Sequence, residues 1–248
     1  MNAIYILWLR QIKRYFRAKS RIIGSIGQPL LFLVALGYGL GPMYAKGGGG
    51  NYLEFIAPGI IAMGILFTAV FSGIQIIWDR QFGFLKETLV APVSRFSIML
   101  GQTIGGASVA FLQGGIVLAL AIIAGFRPHY WATFPLTMFF GACIALLFTA
   151  LGIAIASRLN DMQGFQLIMN FLVMPLFFLS GALFPLQNLP PALLIVVRLN
   201  PLSYGVDGMR GAFDGVFQFG FLTDCSVLFI ATFFLLTLGS WLFSKVEA

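Results

Sequence analysis

The chain carries few residues able to do covalent chemistry. Its one histidine, His129, sits between Arg127 and Tyr130 in a short polar break. As a lone histidine in a short loop, it reads as an interfacial residue rather than a catalyst. The His-Glu-x-x-His and Gly-x-Ser-x-Gly signatures and any Cys/His cluster are missing, so intramembrane metalloprotease and serine hydrolase readings have no support. No Gly-x-x-x-x-Gly-Lys-Ser/Thr loop occurs, so ATP cannot be held by that route. The two cysteines, Cys143 and Cys225, lie in or beside apolar runs and give no disulfide framework. What recurs at a fixed spacing is uncharged polarity. Thr68, Ser72 and Gln75 follow an i, i+4, i+7 pattern that runs on to Asp79, with Phe71 beside them. Gln163, Gln166 and Asn170 repeat the pattern and continue to Met174 and Phe177. On helices each set forms one face, which must turn away from lipid. Such faces either join helices or line a path that is polar at one end and aromatic at the other, suited to amphiphiles rather than ions.

These faces need helices to carry them. The 248 residues are 59% hydrophobic and 9% charged, and the mean hydropathy is +0.95. A water-soluble core cannot absorb that much apolar surface. Apolar runs of about 20 residues select helices over the alternating ten-residue strands of a membrane barrel. They fall at 22–41, 56–78, 97–125, 130–156, 164–184 and 225–244 and predict an all-α membrane protein with six transmembrane helices. Gly101, Gly105 and Ser108 in the third run, and Gly37 and Gly41 at the end of the first, predict close helix contacts. Every charged residue reads as a loop or span-end residue: Glu54, Asp79, Asp161, Asp207, Asp214 and Asp224 all lie outside the apolar runs. A proton- or sodium-driven carrier normally buries an ionisable group in mid-span. None is visible here.

The net charge of +7 clusters beside the spans rather than on a soluble face, so the expected partners are membrane lipids and not nucleic acid. Residues 1–21 carry Arg10, Lys13, Arg14, Arg17, Lys19 and Arg21 with no acid, while Ile4, Leu7, Trp8, Ile12, Tyr15 and Phe16 recur at helical spacing. This predicts an amphipathic interface helix on an anionic inner leaflet; a basic flank that merely orients the first span is the simpler alternative. The apolar run that follows is too long for a signal-peptide core and lacks an A-x-A site, so it reads as an uncleaved span. With the start inside, eleven of the 15 Lys and Arg residues fall in cytoplasmic segments, which predicts both termini inside. The segment 185–224 is different. Pro185, Pro190, Pro191 and Pro201 break an apolar stretch too short to cross, and predict a short outer helical hairpin, interfacial or re-entrant.

Between the second and third spans lies DRQFGFLKETLVAPVSR, residues 79–95. Phe82, Leu85 and Leu89 share one helical face, Lys86 and Glu87 another, and Pro92 ends the helix. In a membrane protein without its own motor, such a cytoplasmic helix is what a partner would grip. This run resembles the pattern that ABC-2 type permeases carry at the same place. The stretches FLSGALFPLQNLP (178–190) and NPLSYGVDGMRGAF (200–213) are similar to that family's fifth span, outer hairpin and Asn-Pro-hydrophobic-x-Tyr segment, including Pro185, Asn200, Pro201 and Tyr204. The likeness extends over essentially the whole chain.

The resemblance implies a single transmembrane domain over 1–248, with an interface helix at 1–21, a coupling helix at 79–93 and the outer segment at 185–224. It implies a homodimer in a bacterial inner membrane that binds two copies of a separate ATP-binding subunit. That subunit would hold ATP and Mg, with no cofactor or metal in this chain. Arg80, Phe82, Phe84, Leu85, Lys86, Glu87 and Leu89, together with Arg10 and Arg14, would meet it. The substrate path would run between spans two and five, past Thr68, Phe71, Ser72, Gln75, Gln163, Gln166, Asn170, Met174 and Phe177. The family's frequent Glu-Arg-Glu is Asp79-Arg80-Gln81 here, which removes an expected charge. The function implied is export of a lipid, lipid-linked glycan or drug-like molecule. A membrane enzyme or assembly factor acting on lipid-linked substrates remains the alternative.

Overall fold

The computed structural model describes residues 3–48, 50–84, 88, 93–186 and 189–244. They form helices, with no strand among the described residues. In chain order these are α1 (Ala3–Arg17), α2 (Lys19–Gly39), α3 (Gly41–Lys46), α4 (Tyr52–Phe71), α5 (Ile74–Gln81), α6 (Arg95–Ile123), α7 (Phe134–Ala156), α8 (Met162–Phe178), α9 (Pro191–Leu199), α10 (Pro201–Asp214) and α11 (Phe221–Ser244). Five stretches are long and apolar enough to cross a membrane: Ile22–Gly39, Tyr52–Gln81, Arg95–Ile123, Trp131–Ala156 and Phe221–Phe243. The helix α8, where the sequence places a fifth span over 164–184, has 17 residues and stops at Phe178. At 1.5 Å per residue it is about 25 Å long, a little short of a hydrocarbon core of about 30 Å.

The span formed by α4 and α5 is the hub. It is 72% buried, against 11% for the span in α11, whose Phe229, Ile230, Phe233 and Phe234 stay exposed. Helix starts are set locally: the side chains of Asn51, Ser94 and Asp161 accept backbone N–H groups at the first turns of α4, α6 and α8.

Between α4 and α5 the helix breaks at Ser72 and Gly73. The Ser72 hydroxyl donates back to Ala69 O at 2.6 Å, which competes with the helical ladder. The break brings Gly73 against Gly152 of α7. A Cβ on Gly152 would lie 2.2 Å from Val70 O, and one on Gly73 would lie 2.4 Å from Gly152 O, so the two backbones touch.

The small-residue stripe of the third span finds its partner in α1. A Cβ on Gly101 would meet Ile4 and Leu7 at 3.1 Å, and one on Gly105 would meet Gln11 at 2.7 Å. Trp8 Nε1 donates to Ser108 Oγ at 3.0 Å, and the Tyr15 hydroxyl to Gln113 Oε1 at 2.9 Å. Thus α1 runs alongside α6 in the same direction, and turns at Ala18 into α2.

The segment 185–224 packs more deeply than its proline pattern indicates. Leu202 through Phe213 of α10 are all buried, against α7, α11 and α4. Three glycines at helical spacing, Gly205, Gly208 and Gly211, admit Ile144, Phe140 and Phe217 respectively, each of which would lie within 2.6 Å of an added Cβ. The helix ends at Gly215, whose φ of 77° is the left-handed conformation that favours glycine.

Candidate functional site

At the C-terminal end of the second span, Asp79 is buried, 5% exposed, and gathers three side chains. It accepts from Gln75 Nε2 at 2.6 Å on its own helix and from Gln102 Nε2 at 3.4 Å on α6. It also pairs with the guanidinium of Arg10 on α1. Gln11 Nε2 donates to Gln102 Oε1 at 2.5 Å, closing the network. The Arg10 guanidinium lies 3.9 Å over the Phe84 ring as well. Arg80 turns the other way and donates to Ser157 O at 2.8 Å, to Leu159 O at 3.0 Å and to the Asn160 side chain. The chain leaving the second span is thereby tied to α1 on one side and to the inner loop after α7 on the other. Beyond this anchor Phe82 is 75% exposed and Phe84 is 38% exposed. Leu85, Lys86, Glu87 and Leu89 lie outside the described residues.

The polar face of the second span opens toward α1 and α2. Thr68, Ser72 and Gln75 line a small pocket with Gln11, Arg14 and Tyr15. Thr68 and Phe71 also wall a cavity of about 200 Å³ bounded by Gly24, Ser25, Gln28 and Pro29 of the first span. Sequence reading did not single out Gln28, although a glutamine before a proline inside an apolar run marks the site.

Helix α8 packs against α4 and α5. Phe165, Met169, Val173 and Phe177 of α8 are buried; the Phe165 ring meets Phe71 at 6.3 Å and the Phe177 ring meets Phe32 at 6.3 Å. Gln163, Gln166, Asn170 and Met174 flank this buried face and are exposed. The second span and α8 therefore touch through aromatic rings, while the polar stripe of α8 stays exposed.

At the other end of the bundle Asn200 joins the helices. Its amide donates to Leu176 O at 2.7 Å, and its Oδ1 accepts from Leu202 N at 3.0 Å, capping α10 behind Pro201. The Tyr204 hydroxyl donates to Arg198 O at 2.8 Å, and Pro185 is half-buried before α9. Three charged residues that read as loop positions are buried here, which corrects that reading. Asp207 is 2% exposed, Arg210 7% and Asp224 0%. Asp207 accepts from Gln218 N at 3.1 Å and Phe219 N at 2.8 Å; Arg210 donates to Gly181 O at 3.0 Å and lies 4.2 Å over the Phe55 ring. Asp224, placed by hydropathy just before the last span, stands in the first turn of α11. His129 is exposed and lies 3.6 Å from Asp214. Burial holds the Asp214 carboxyl above the ordinary carboxylate range, against the opposing pull of His129 and Arg210. Among the described residues no cluster of three potential metal ligands occurs.

The polar side chains of the bundle thus join helices and line a crevice, and exposed aromatics stand at the end of the second span. The family model described as "ABC-2 type transporter" matches residues 2–213, and the chain belongs to that family. It is similar to the inner membrane transport permease YadH of Escherichia coli K12, with 28% identity over 94% of this chain and 92% of that protein. It is also similar to the putative transport permease ycf38 of Pyropia yezoensis, with 32% identity over 87% of this chain and 75% of that protein. Nodulation protein J of Rhizobium leguminosarum bv. trifolii is 28% identical over 83% and 76% of the two chains. With its apolar helices, this makes the chain an integral membrane protein of transport-permease type.

Proposed function

We propose that the chain is the permease subunit of an ATP-driven exporter in a bacterial inner membrane. In this reading it dimerises and works with two copies of a separate ATP-binding subunit that binds ATP and Mg. The observation that carries the proposal is Phe82. It is a large aromatic, 75% exposed, at the inner end of the most buried span, on a segment braced by Asp79 to α1 and by Arg80 to the loop after α7. A push on such a braced segment is transmitted to the second span rather than dissipated. The family match over residues 2–213 supports the same assignment.

The topology proposed has six crossings, the short α8 being the fifth, with both termini cytoplasmic. The exposed Gln163, Gln166 and Asn170 face of α8 would be covered by the second permease chain, since polar side chains facing lipid are unfavourable. Substrates would be hydrophobic or amphipathic and would pass along the second and fifth spans as the ATP-binding subunits close and open. Each nucleotide state must bind one permease conformation better than the other.

The test is co-purification. The chain, expressed with genes that neighbour it, is expected to bring down a subunit carrying a Walker motif, and Phe82→Ala is expected to weaken that capture. Isolation of the folded chain without such a subunit, with transport following an ion gradient alone, would overturn the proposal.

A further inference from the structure

The second span's polar face opens into a crevice whose shape and charge specify its occupant more narrowly than "amphipathic". The pocket with Arg14 and the cavity of about 200 Å³ share Tyr15, Thr68 and Val109 in their walls, so they adjoin. The larger part alone is several times the roughly 30 Å³ share of one water, too large for an ordinary packing void. Its walls divide by chemistry. Met63, Phe67, Phe71 and Pro29 form an apolar side, and Gln28 and Thr68 offer uncharged hydrogen-bonding groups. Along its wall on the first span, Gly24 and Gln28 are exposed while Pro29 is buried. A polar amide on the outside of a membrane helix, beside an apolar cleft, is placed for an amphiphile lying in the leaflet.

Charge sets the headgroup. Arg10 is matched by Asp79, but Arg14, one turn later, has no acidic partner among the described residues and lies 5.4 Å from the Trp78 ring. Trp78 is 39% exposed and adjoins Asp79 at the end of the span, which puts Arg14 at headgroup depth. A guanidinium there presents several N–H donors to a phosphate. The residues around it on α1, Lys13 and Arg17, add the same sign of charge.

We propose that this crevice binds a phosphate-bearing lipid drawn from the inner leaflet, its phosphate on Arg14 and its acyl chain along Phe67 and Phe71. The proposal rests on the permease reading and narrows its substrate class to anionic lipid-like molecules that reach the second span from the side, between the first and second spans of one chain.

The experiment uses the full chain in phosphatidylcholine nanodiscs, without any ATPase, and a phosphatidylglycerol probe carrying a diazirine on its acyl chain. Labelled sites are mapped by mass spectrometry. Labels are expected in the peptides containing residues 24–29 and 63–71. Arg14→Gln is expected to lower that labelling about fivefold, the scale of one basic residue near an anionic headgroup, and Arg14→Lys to retain most of it. The matching phosphatidylcholine probe is expected to label weakly and without regard to Arg14. Gly24→Phe is expected to block both probes; a Cβ at Gly24 meets nothing within 4 Å, so the side chain enters open space. An unchanged thermal transition confirms that the variant folds.

Labelling unchanged in both Arg14→Gln and folded Gly24→Phe would overturn the proposal, as would displacement of the lipid probe by inorganic phosphate alone. ATP-dependent transport in reconstituted vesicles is scored separately. Transport that persists while labelling ignores Arg14 and Gly24 removes the crevice and keeps the permease reading. Arg14-dependent labelling without ATP-dependent transport does the reverse.

Discussion

Arg10→Gln probes the joint between α1 and the second span. In the native chain Asp79, with 6% of its side chain exposed, faces Arg10, with 26% exposed. Removing one partner of a fully buried pair costs about 3–5 kcal/mol, while an exposed pair is worth about 0–1 kcal/mol. Asp79 belongs to the buried end of that range and Arg10 to the middle. The two amides of Gln75 and Gln102 still donate to the carboxylate after the substitution. The expected loss is therefore about 2 kcal/mol. Asp79→Asn is expected to cost about half as much, because Arg10 can turn its guanidinium to water. The double variant replaces the charges with amides that can bond to each other. It should be more stable than the sum of the single losses predicts, by about 1–2 kcal/mol. Unfolding in mixed micelles titrated with sodium dodecyl sulfate measures the cycle. Losses that add to within about 0.5 kcal/mol would refute the pairing, because contacting residues in one network couple by more than that.

Other expectations follow from single contacts. Gly152→Ala puts a Cβ 2.2 Å from Val70 O and should cost about 1–3 kcal/mol in the same assay, whereas Gly27→Ala, with open space at its Cβ, should be neutral or stabilising by about 0.5–1 kcal/mol. Asn200→Ala removes the cap of α10 and leaves Leu176 O without its donor, an expected loss of about 2 kcal/mol with lowered protection of α10 in hydrogen exchange. The raised Asp214 carboxyl favours the folded chain most fully below the ordinary carboxylate range. That contribution is lost as pH rises through its higher folded value, so Asp214→Asn should flatten the fall of thermal stability across this window, read by melting the protein at a series of pH values.

The helices and their approximate bounds are legible because apolar runs of about 20 residues leave little choice in lipid. The stripe of Gly101, Gly105 and Ser108 announces a close contact, but its partner, α1, lies about a hundred residues earlier and no local pattern names it. The Asp79–Arg10 pair is hidden for the same reason. Hydropathy places Asp79 at a span's exit and Arg10 on a basic flank, and only the docking of α1 along α6 joins them. Asp207, Arg210 and Asp224 read as outer-loop charges because their neighbours are mixed in polarity. They are buried because α10 uses Gly205, Gly208 and Gly211 to admit other helices, a three-residue spacing that was present in the sequence as a signal. The polar stripes on spans two and five were readable as faces. Periodicity gives a face without a direction, so the opening of one toward the first span and of the other away from the bundle required the packed chain.

In the proposed function, the work of this permease comes from a separate ATP-binding subunit acting at the segment that begins with Phe82. The direct measurement is translocation of a fluorescent phosphatidylglycerol in vesicles holding the purified chain with its neighbouring ATP-binding subunit. The expected result is translocation that requires ATP and both proteins and drops at least tenfold in Phe82→Ala, while that variant keeps the wild-type melting transition. Equal translocation without the ATP-binding subunit, or a Phe82→Ala variant as active as the wild type, would contradict it.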